Sequence, residues 1–165
     1  MGWTGMDIKL IRIRLGYDPY TGHFIHLSST GGALAGAKAG RIGALGYMIL
    51  SVKGRELYAH RVAWALYYGE WPEVQVDHIN RERDDNRIVN LRLATNSQNQ
   101  ANTVARVNSK SGIRGVVYRP DKNRWVAQIT CDGRQYQIGS FQSEAEAAAA
   151  YAQRSRALFG QFSRA

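Results

Sequence analysis

The sequence is short of cysteine, of acidic side chains and of long apolar segments. Cys131 is the only cysteine in 165 residues, so no internal disulfide can form and no cysteine cluster can hold a structural zinc ion. Gly or Arg interrupts the longest apolar stretches, which argues against a membrane-spanning segment. Met1–Leu15 lacks the layout of a secretory signal peptide. We therefore expect the protein to work in a reducing compartment, the cytoplasm.

Basic side chains outnumber acidic ones, 22 Lys and Arg against 13 Asp and Glu, which gives a formal net charge of +9. The excess is uneven along the chain. Residues 1–105 carry 12 basic and 9 acidic side chains (+3), whereas residues 106–165 carry 10 and 4 (+6). Charge of this sign favours a polyanionic partner such as nucleic acid, most strongly for the C-terminal part.

The chain is predicted to be an α+β protein with two small folded modules. The first module contains a β-rich region at 1–57 and a compact unit at 58–103; a linker at 104–111 leads to a second module at 112–165. The turn signal Asp18–Gly22 separates two segments that read as strands, Leu10–Leu15 and His23–Leu27.

Further elements follow from apolar spacing and capping residues. Capping boxes at Thr95–Gln98 and Ser143–Glu146 predict the starts of two helices. In the second module three strands are expected before the last helix. The other predicted elements are the hairpin strands Gly46–Val52 and Arg55–Tyr58, the helix His60–Gly69, and the strands Val74–Ile79, Ile88–Leu93, Val116–Tyr118, Trp125–Thr130 and Gln135–Ile138.

The most informative residues for function are Asp77 and His78, which end an apolar run, and two asparagines downstream. Asn90 lies 12 residues after His78, where its side-chain oxygen can accept from the imidazole and fix the tautomer. His78 would then act as a general base. Asp77 and Asn99 offer the oxygen ligands that a hard cation such as Mg²⁺ prefers. These groups match the needs of a one-metal phosphodiester hydrolase.

Residues 58–103 resemble the HNH endonucleases, specifically the phage-type group in which the last motif residue is Asn. The four motif positions are Asp77, His78, Asn90 and Asn99, and the flanks His60–Trp64, Asp85-Asn86-Arg87 and Asn90-Leu91-Arg92 match as well. The resemblance implies a ββα-metal fold in which His78 is the general base, Asn90 its orienting partner, and Asp77 and Asn99 the ligands of one Mg²⁺ or Mn²⁺ ion. The Tyr17-Asp18-x-x-Thr21-Gly22 turn also resembles the N-terminal part of these proteins.

Two side-chain assignments near this motif stay open. His60 is either a contact to the site or to phosphate, or a helix-start residue packed on Trp64, and the packing interpretation is favoured. Arg81, Arg83, Arg87 and Arg92 are candidates for phosphate contacts, and at least two of the four are expected to be only solvated; Arg87 and Arg92 lie in the matching flanks.

Residues 111–161 resemble the AP2 DNA-binding domain, a three-stranded antiparallel sheet backed by one helix. The resemblance rests on Gly112–Val116, Arg124–Ile129, Ile138–Phe141 and Glu144–Tyr151 with Phe159-Gly160. It implies that the sheet enters the DNA major groove. By position the expected DNA contacts are Arg114, Arg119, Arg124, Gln128, Thr130, Gln135 and Gln137. Val117, Thr130 and Gln135 replace arginines common in this family, so no target sequence is predicted.

Together these patterns predict a metal-dependent endonuclease that hydrolyses double-stranded DNA, nicks one strand per active site and is targeted by an AP2-like module. The resemblance suggests a homing-type nuclease of phage or bacterial origin, which would work in the host cytoplasm. A DNA-binding regulator with a non-catalytic HNH scaffold is the alternative. Cleavage of structured RNA is disfavoured, because the deep, narrow major groove of A-form RNA does not admit such a sheet. The sequence leaves the choice between monomer and homodimer open.

Overall fold

The computed structural model of the chain describes residues 6–29, 32–102 and 111–163. It consists of two compact units, Met1–Leu93 and Ala94–Ala165. The predicted linker at 104–111 lies outside the described residues except for its last position. Across the described residues the architecture is mixed α and β with several small antiparallel sheets, which confirms the predicted fold class at that level.

The first unit consists of small sheets arranged around one central helix. Its sheets are β1–β2, β3–β4–β5 and β6–β7. The elements are α1 (Ile8–Arg12), β1 (Leu15–Tyr17), β2 (Phe24–His26), β3 (Arg41–Ile42), β4 (Met48–Val52), β5 (Arg55–Tyr58), α2 (Ala59–Tyr68), β6 (Gln75–His78), a 3-10 turn (Ile88–Asn90) and β7 (Leu91–Ala94).

Helix α1 replaces part of the strand that the sequence predicts over Leu10–Leu15. The carboxylate of Asp7 accepts a hydrogen bond from the Lys9 amide (2.9 Å) and so caps the helix, and Ile11 is fully buried. A short apolar run can be a strand or a buried helical turn, and its periodicity does not separate the two. Here the cap and the burial of Ile11 decide for the helix. The Ile88–Leu93 strand is also corrected, since its first three residues form the 3-10 turn.

Helix α2 lies at the centre of the first unit's core. Ala59, Val62 and Ala63 are completely buried and pack with strand residues such as Leu50 and Val76. The helix ends at Gly69, whose φ of 85° is left-handed, as expected for a glycine that stops a helix. Because β5 runs directly into α2, the second residue of the helix, His60, faces the interior of the unit.

The second unit is a three-stranded antiparallel sheet with a long helix on one face. Its elements are α3 (Asn96–Ala101), β8 (Val116–Arg119), β9 (Arg124–Cys131), β10 (Arg134–Phe141) and α4 (Glu144–Phe159), with the sheet order β10–β9–β8. Alternate residues of β9, Trp125, Ala127 and Ile129, join the core that α4 covers through Ala147 and Tyr151.

Helix α3 belongs to the second unit although the sequence assigns it to the nuclease module. Ala101 is 4 % exposed and shares a core with Phe159 and Phe162. The structural division therefore falls after Leu93, ten residues before the predicted boundary after 103. Both predicted capping boxes are present, at the start of α3 and at the start of α4. None of the helices in the described residues has the length and apolar character needed to cross a membrane.

Candidate functional site

The candidate site of the first unit is built around His78, the last residue of β6. Asp77 and His78 are 7 % and 4 % exposed. The His60 ring, from the first turn of α2, meets the His78 ring edge-on with 5.0 Å between centroids. Tyr47 approaches the same ring at 6.0 Å. Aromatic packing therefore restricts the plane of the imidazole before any hydrogen bond is considered.

A buried amide, that of Asn86, fixes the tautomer of His78. Asn86 is 1 % exposed, and its side-chain oxygen lies 3.4 Å from Nε2 of His78. The orientation of this amide is determined by its nitrogen, which donates to the carbonyl of Asp84 at 2.9 Å. Its oxygen can only accept, so Nε2 of His78 carries the proton. The lone pair of the imidazole is then on Nδ1.

The electrostatic environment keeps this imidazole neutral. Burial lowers the pKa of His78 below its usual value; the hydrogen bond to Asn86 and the charge of Asp77 oppose that shift only in part. A neutral imidazole with its lone pair on a defined nitrogen is the form that a general base requires.

The structure corrects the role predicted for Asn90. Its amide nitrogen donates to the side-chain oxygen of Asn80 and to the carbonyl of Asp85, both at 2.9 Å. Its oxygen accepts from the backbone N–H of Asn80 at 3.0 Å. Asn90 therefore ties together the loop between β6 and β7, and Asn86 is the asparagine that faces His78. The sequence signal for Asn86 was its place in the Asp85-Asn86-Arg87 flank, eight residues after His78.

Arg92, predicted as a DNA contact, forms an ion pair with the predicted metal ligand Asp77. Nε and one terminal nitrogen of its guanidinium both lie 2.9 Å from Oδ2 of Asp77. Arg92 is on β7 and Asp77 on β6, the two strands of one sheet, and both side chains are largely buried, at 11 % and 7 % exposed. The guanidinium thus compensates the charge of a buried carboxylate at the place where a cation is expected.

Arg87, the other predicted DNA contact of this unit, also pairs with a carboxylate. Two of its nitrogens donate to the two oxygens of Asp85, at 2.8 and 2.7 Å. These bonds from Arg87, with a smaller contribution from Asn80, lower the pKa of Asp85 to about 2. Asp85 is therefore a structural residue of the loop, and phosphate would compete with it for Arg87.

His60 differs from the interpretation favoured from the sequence. Its ring packs on Tyr47 at 5.3 Å, on Tyr58 at 5.5 Å and on His78, whereas the sequence favoured packing on Trp64. Burial lowers the pKa of His60 to about 3, with smaller contributions from His78 and Arg61. Its Nδ1 is buried without a hydrogen-bond partner in the described structure. His60 therefore lines the site as an uncharged side chain.

The chemistry of the available donors matches a hard divalent cation. No three His, Cys, Asp or Glu side chains group together as metal ligands within residues 6–29, 32–102 and 111–163. Of the two predicted ligands, the Asp77 carboxylate lies in the first unit next to His78, and it is an oxygen donor of the kind found in Mg²⁺ or Mn²⁺ sites that keep several waters. Asn99 is half-buried in α3.

In the second unit the predicted DNA contacts gather on the face of the sheet opposite α4. The register pairs Arg119 with Arg124, Gln128 with Gln137, and Thr130 with Gln135. Directly paired residues of antiparallel strands project from the same face. Arg114 lies apart from this face, in the turn before β8, where its charge acts on Tyr151 of α4.

Comparison with known proteins agrees with the first unit's motif. Residues 57–101 match the family model described as HNH endonuclease. A protein of Acanthamoeba polyphaga mimivirus described as an uncharacterized HNH endonuclease is 32% identical over 123 residues, 73% of this chain and 63% of that protein. Protein 3.8 of Escherichia phage T7 is 29% identical over 106 residues, 64% of this chain and 87% of that protein. No solved structure matches the chain significantly.

Proposed function

We propose that the protein is a metal-dependent endonuclease that hydrolyses phosphodiester bonds of double-stranded DNA with His78 as the general base. The observation that carries the proposal is the buried, neutral His78, whose Nε2 faces an acceptor on Asn86 and whose neighbour is the carboxylate of Asp77. A base of fixed tautomer next to a metal-binding carboxylate is the minimum equipment for activating water on phosphate.

In the proposed reaction, Nδ1 of His78 takes a proton from a water molecule. The resulting hydroxide attacks phosphorus, and the bond from phosphorus to the 3′ oxygen breaks. The 3′ oxygen leaves and is protonated from solvent, so the products are a 5′-phosphate and a 3′-hydroxyl. A divalent cation held by Asp77 would stabilise the charge that builds up on the phosphate and the leaving oxygen. One such site cuts one strand.

Support for this function also comes from the match of residues 57–101 to the HNH endonuclease family model and from the mimivirus relative described as an HNH endonuclease. The chain spans 63% of that relative's length, so the activity of the whole protein is inferred from the site and not from the relative. A homing-type role in a phage or its host, which the resemblance of residues 58–103 to the phage-type HNH endonucleases suggests, is part of the proposal.

We assign targeting to the second unit. Its outer sheet face presents arginine and glutamine side chains that can pair with guanine and adenine edges or with phosphates. Connection to the nuclease through one chain raises the effective concentration of the target at the active site. This is the AP2-like mode suggested by the sequence.

The test is nicking of supercoiled plasmid by the wild-type protein with Mg²⁺, with EDTA, and by His78→Ala. We expect nicking with Mg²⁺ only, and its loss in His78→Ala. His23→Ala is the matched control, because His23 is an exposed histidine of the same unit. Nicking that survives His78→Ala would exclude His78 as the base. Duplex binding without nicking under any divalent cation would favour the regulator instead.

A further inference from the structure

The β1–β2 hairpin contacts the segment that holds Asn86, although no catalytic motif residue lies on the hairpin. The hydroxyl of Tyr17, the last residue of β1, donates to the backbone carbonyl of Asn86 at 2.7 Å. Two residues on, the carbonyl of Pro19 accepts from the Ile88 amide at 3.0 Å. The hairpin turn therefore holds the backbone on both sides of Arg87.

Gly22, at the other end of the turn, shows how closely the two segments approach. A Cβ atom placed on Gly22 would lie 2.6 Å from the Arg87 amide nitrogen and 2.7 Å from the carbonyl carbon of Asn86. A Cβ atom essentially never comes this close to another heavy atom, so only glycine permits this contact. Its φ of +73° independently favours glycine.

The Tyr17 ring is itself well anchored. It stacks on Phe24 with 4.8 Å between centroids, and Phe24 is 1 % exposed in the core of the first unit. Burial raises the pKa of the Tyr17 hydroxyl, so this group stays protonated and can serve as a donor over the whole physiological range. The contact thus connects the core to the peptide that carries Asn86.

We propose that the Tyr17–Gly22 turn positions Asn86 and, through its side-chain oxygen, sets the orientation of His78. Tyr17 is then a positioning residue of the active site. This inference rests on the proposed role of His78 as the base. It gives a function to the Tyr17-Asp18-x-x-Thr21-Gly22 motif, which the nuclease mechanism alone leaves unexplained.

The central experiment compares Tyr17→Phe, which keeps the ring and its stacking, with Tyr20→Phe. Tyr20 is a matched control because it lies in the same turn and is 86 % exposed. We expect Tyr17→Phe to lower kcat for nicking by about ten- to a hundredfold with little change in KM, since misplacing a base affects the chemical step. Tyr20→Phe should match the wild type.

A second readout does not depend on activity. The ¹⁵N chemical shifts of the His78 ring, recorded in the protein without metal at a pH where the ring is neutral, report which nitrogen carries the proton. The wild type should show the Nε2–H form, and Tyr17→Phe a mixture of both tautomers. If Tyr17→Phe lowers thermal stability but leaves both kcat and the His78 shifts unchanged, the contact is merely structural and the proposal is wrong.

A glycine pair covers the case in which Tyr17→Phe does not fold. Gly22 and Gly54 both have a φ of +73°, but only Gly22 has neighbours within 4 Å of an added Cβ. The two alanine variants therefore share the backbone strain, but only Gly22→Ala places a Cβ atom in steric conflict with the Asn86–Arg87 peptide. A change in the His78 tautomer in Gly22→Ala but not in Gly54→Ala supports the proposal. Equal spectra overturn it.

The design separates failure of this inference from failure of the proposed function. If the wild type does not nick DNA at all, the nuclease proposal fails, while the ¹⁵N spectra still decide whether the turn orients His78. If the wild type nicks and Tyr17→Phe nicks equally well with an unchanged tautomer, the nuclease stands and the positioning role is wrong.

Discussion

Among the single residues of the site, Asn86 and Asp77 are buried polar groups whose partners are specified by the fold. Asn86 is oriented by the Asp84 carbonyl and in turn faces His78. Asp77 is compensated by Arg92 on the neighbouring strand. Loss of a partner would leave a buried polar group or charge unpaired, which lowers the free energy of unfolding. Each of these contacts is therefore needed in the folded state. These contacts therefore restrict the orientations that the side chains of the site can adopt.

His60 leads to a prediction about stability and pH. Its pKa is about 3 in the folded protein against 6.5 for a free histidine, so between these values the unfolded chain binds a proton that the folded chain does not. The free energy of unfolding should be fully retained above about pH 6.5 and fall as the pH drops towards 3. At pH 5 the loss from this residue is about 2 kcal/mol.

The measurement is urea unfolding of the wild type and His60→Phe at about pH 7.5 and about pH 5. His60→Phe should show the smaller loss, because phenylalanine keeps the packing on Tyr47 and Tyr58 but cannot be protonated. Some dependence should remain, since burial also lowers the pKa of His78. His23→Phe, at an exposed site, should behave as the wild type. An unchanged slope in His60→Phe would contradict the assignment.

The sequence identified the motif residues but not all of their contacts. Asp77 and His78 could be recognised because their residue types and order are characteristic of the chemistry. The partner of His78 could not be recognised from the sequence. Asn86 and Asn90 both follow His78 closely in the chain, and only the folded loop shows which of the two side-chain amides faces the ring. The prediction that Arg92 contacts DNA rested on its positive charge. The sequence does not show that Asp77 lies next to it on the neighbouring strand.

For helices and strands, the success of each prediction depended on how close together in the sequence the determining residues lie. Helices α3 and α4 begin where their capping boxes predict, because both partners of a capping box lie within four residues. Helix α1 was not predicted, because five residues carry too little periodicity. The membership of α3 in the second unit was also not predictable, since it depends on contacts of Ala101 with residues nearly sixty positions away.

Helix α3 gives an element-scale prediction, because it is only six residues long and carries Asn99. Thr95→Ala removes the hydroxyl that accepts from the Gln98 amide at 3.2 Å, which should cost about 1 kcal/mol. A helix this short depends on its cap. Thr95→Ala should therefore lower the melting temperature of the protein, which differential scanning fluorimetry measures, and an unchanged melting temperature would contradict the role of the cap.

Ser143→Ala is the matched control for Thr95→Ala. It removes the equivalent cap from α4, which is 16 residues long and carries none of the predicted metal ligands. Ser143→Ala should lower the melting temperature less than Thr95→Ala does, because a long helix depends less on its cap than a short one. An equal decrease in both variants would contradict this dependence on helix length.

Across the whole chain, the two units differ in whether the arginines predicted to contact DNA are paired with carboxylates. In the first unit, the predicted DNA contacts Arg87 and Arg92 are already paired with carboxylates. In the second unit, Arg119 and Arg124 are paired with each other in the β8–β9 register, on the outer face of the sheet. Two like charges placed side by side are unfavourable unless an anion lies nearby. This arrangement favours the second unit as the principal contact to the DNA backbone.

The corresponding prediction concerns the salt dependence of duplex binding, measured by fluorescence anisotropy in EDTA so that no cleavage occurs. Each phosphate contact contributes about 0.9 to the slope of log Kd against log salt concentration, because binding releases condensed counterions. The double variant Arg119→Ala/Arg124→Ala should therefore bind more weakly and show a slope smaller by about 2. Arg154→Ala/Arg156→Ala is the control, since it removes the same charge from the exposed side of α4. An equal decrease in slope for both pairs would show that net charge alone drives binding, and the outer face of the sheet would lose its role as the DNA-binding surface.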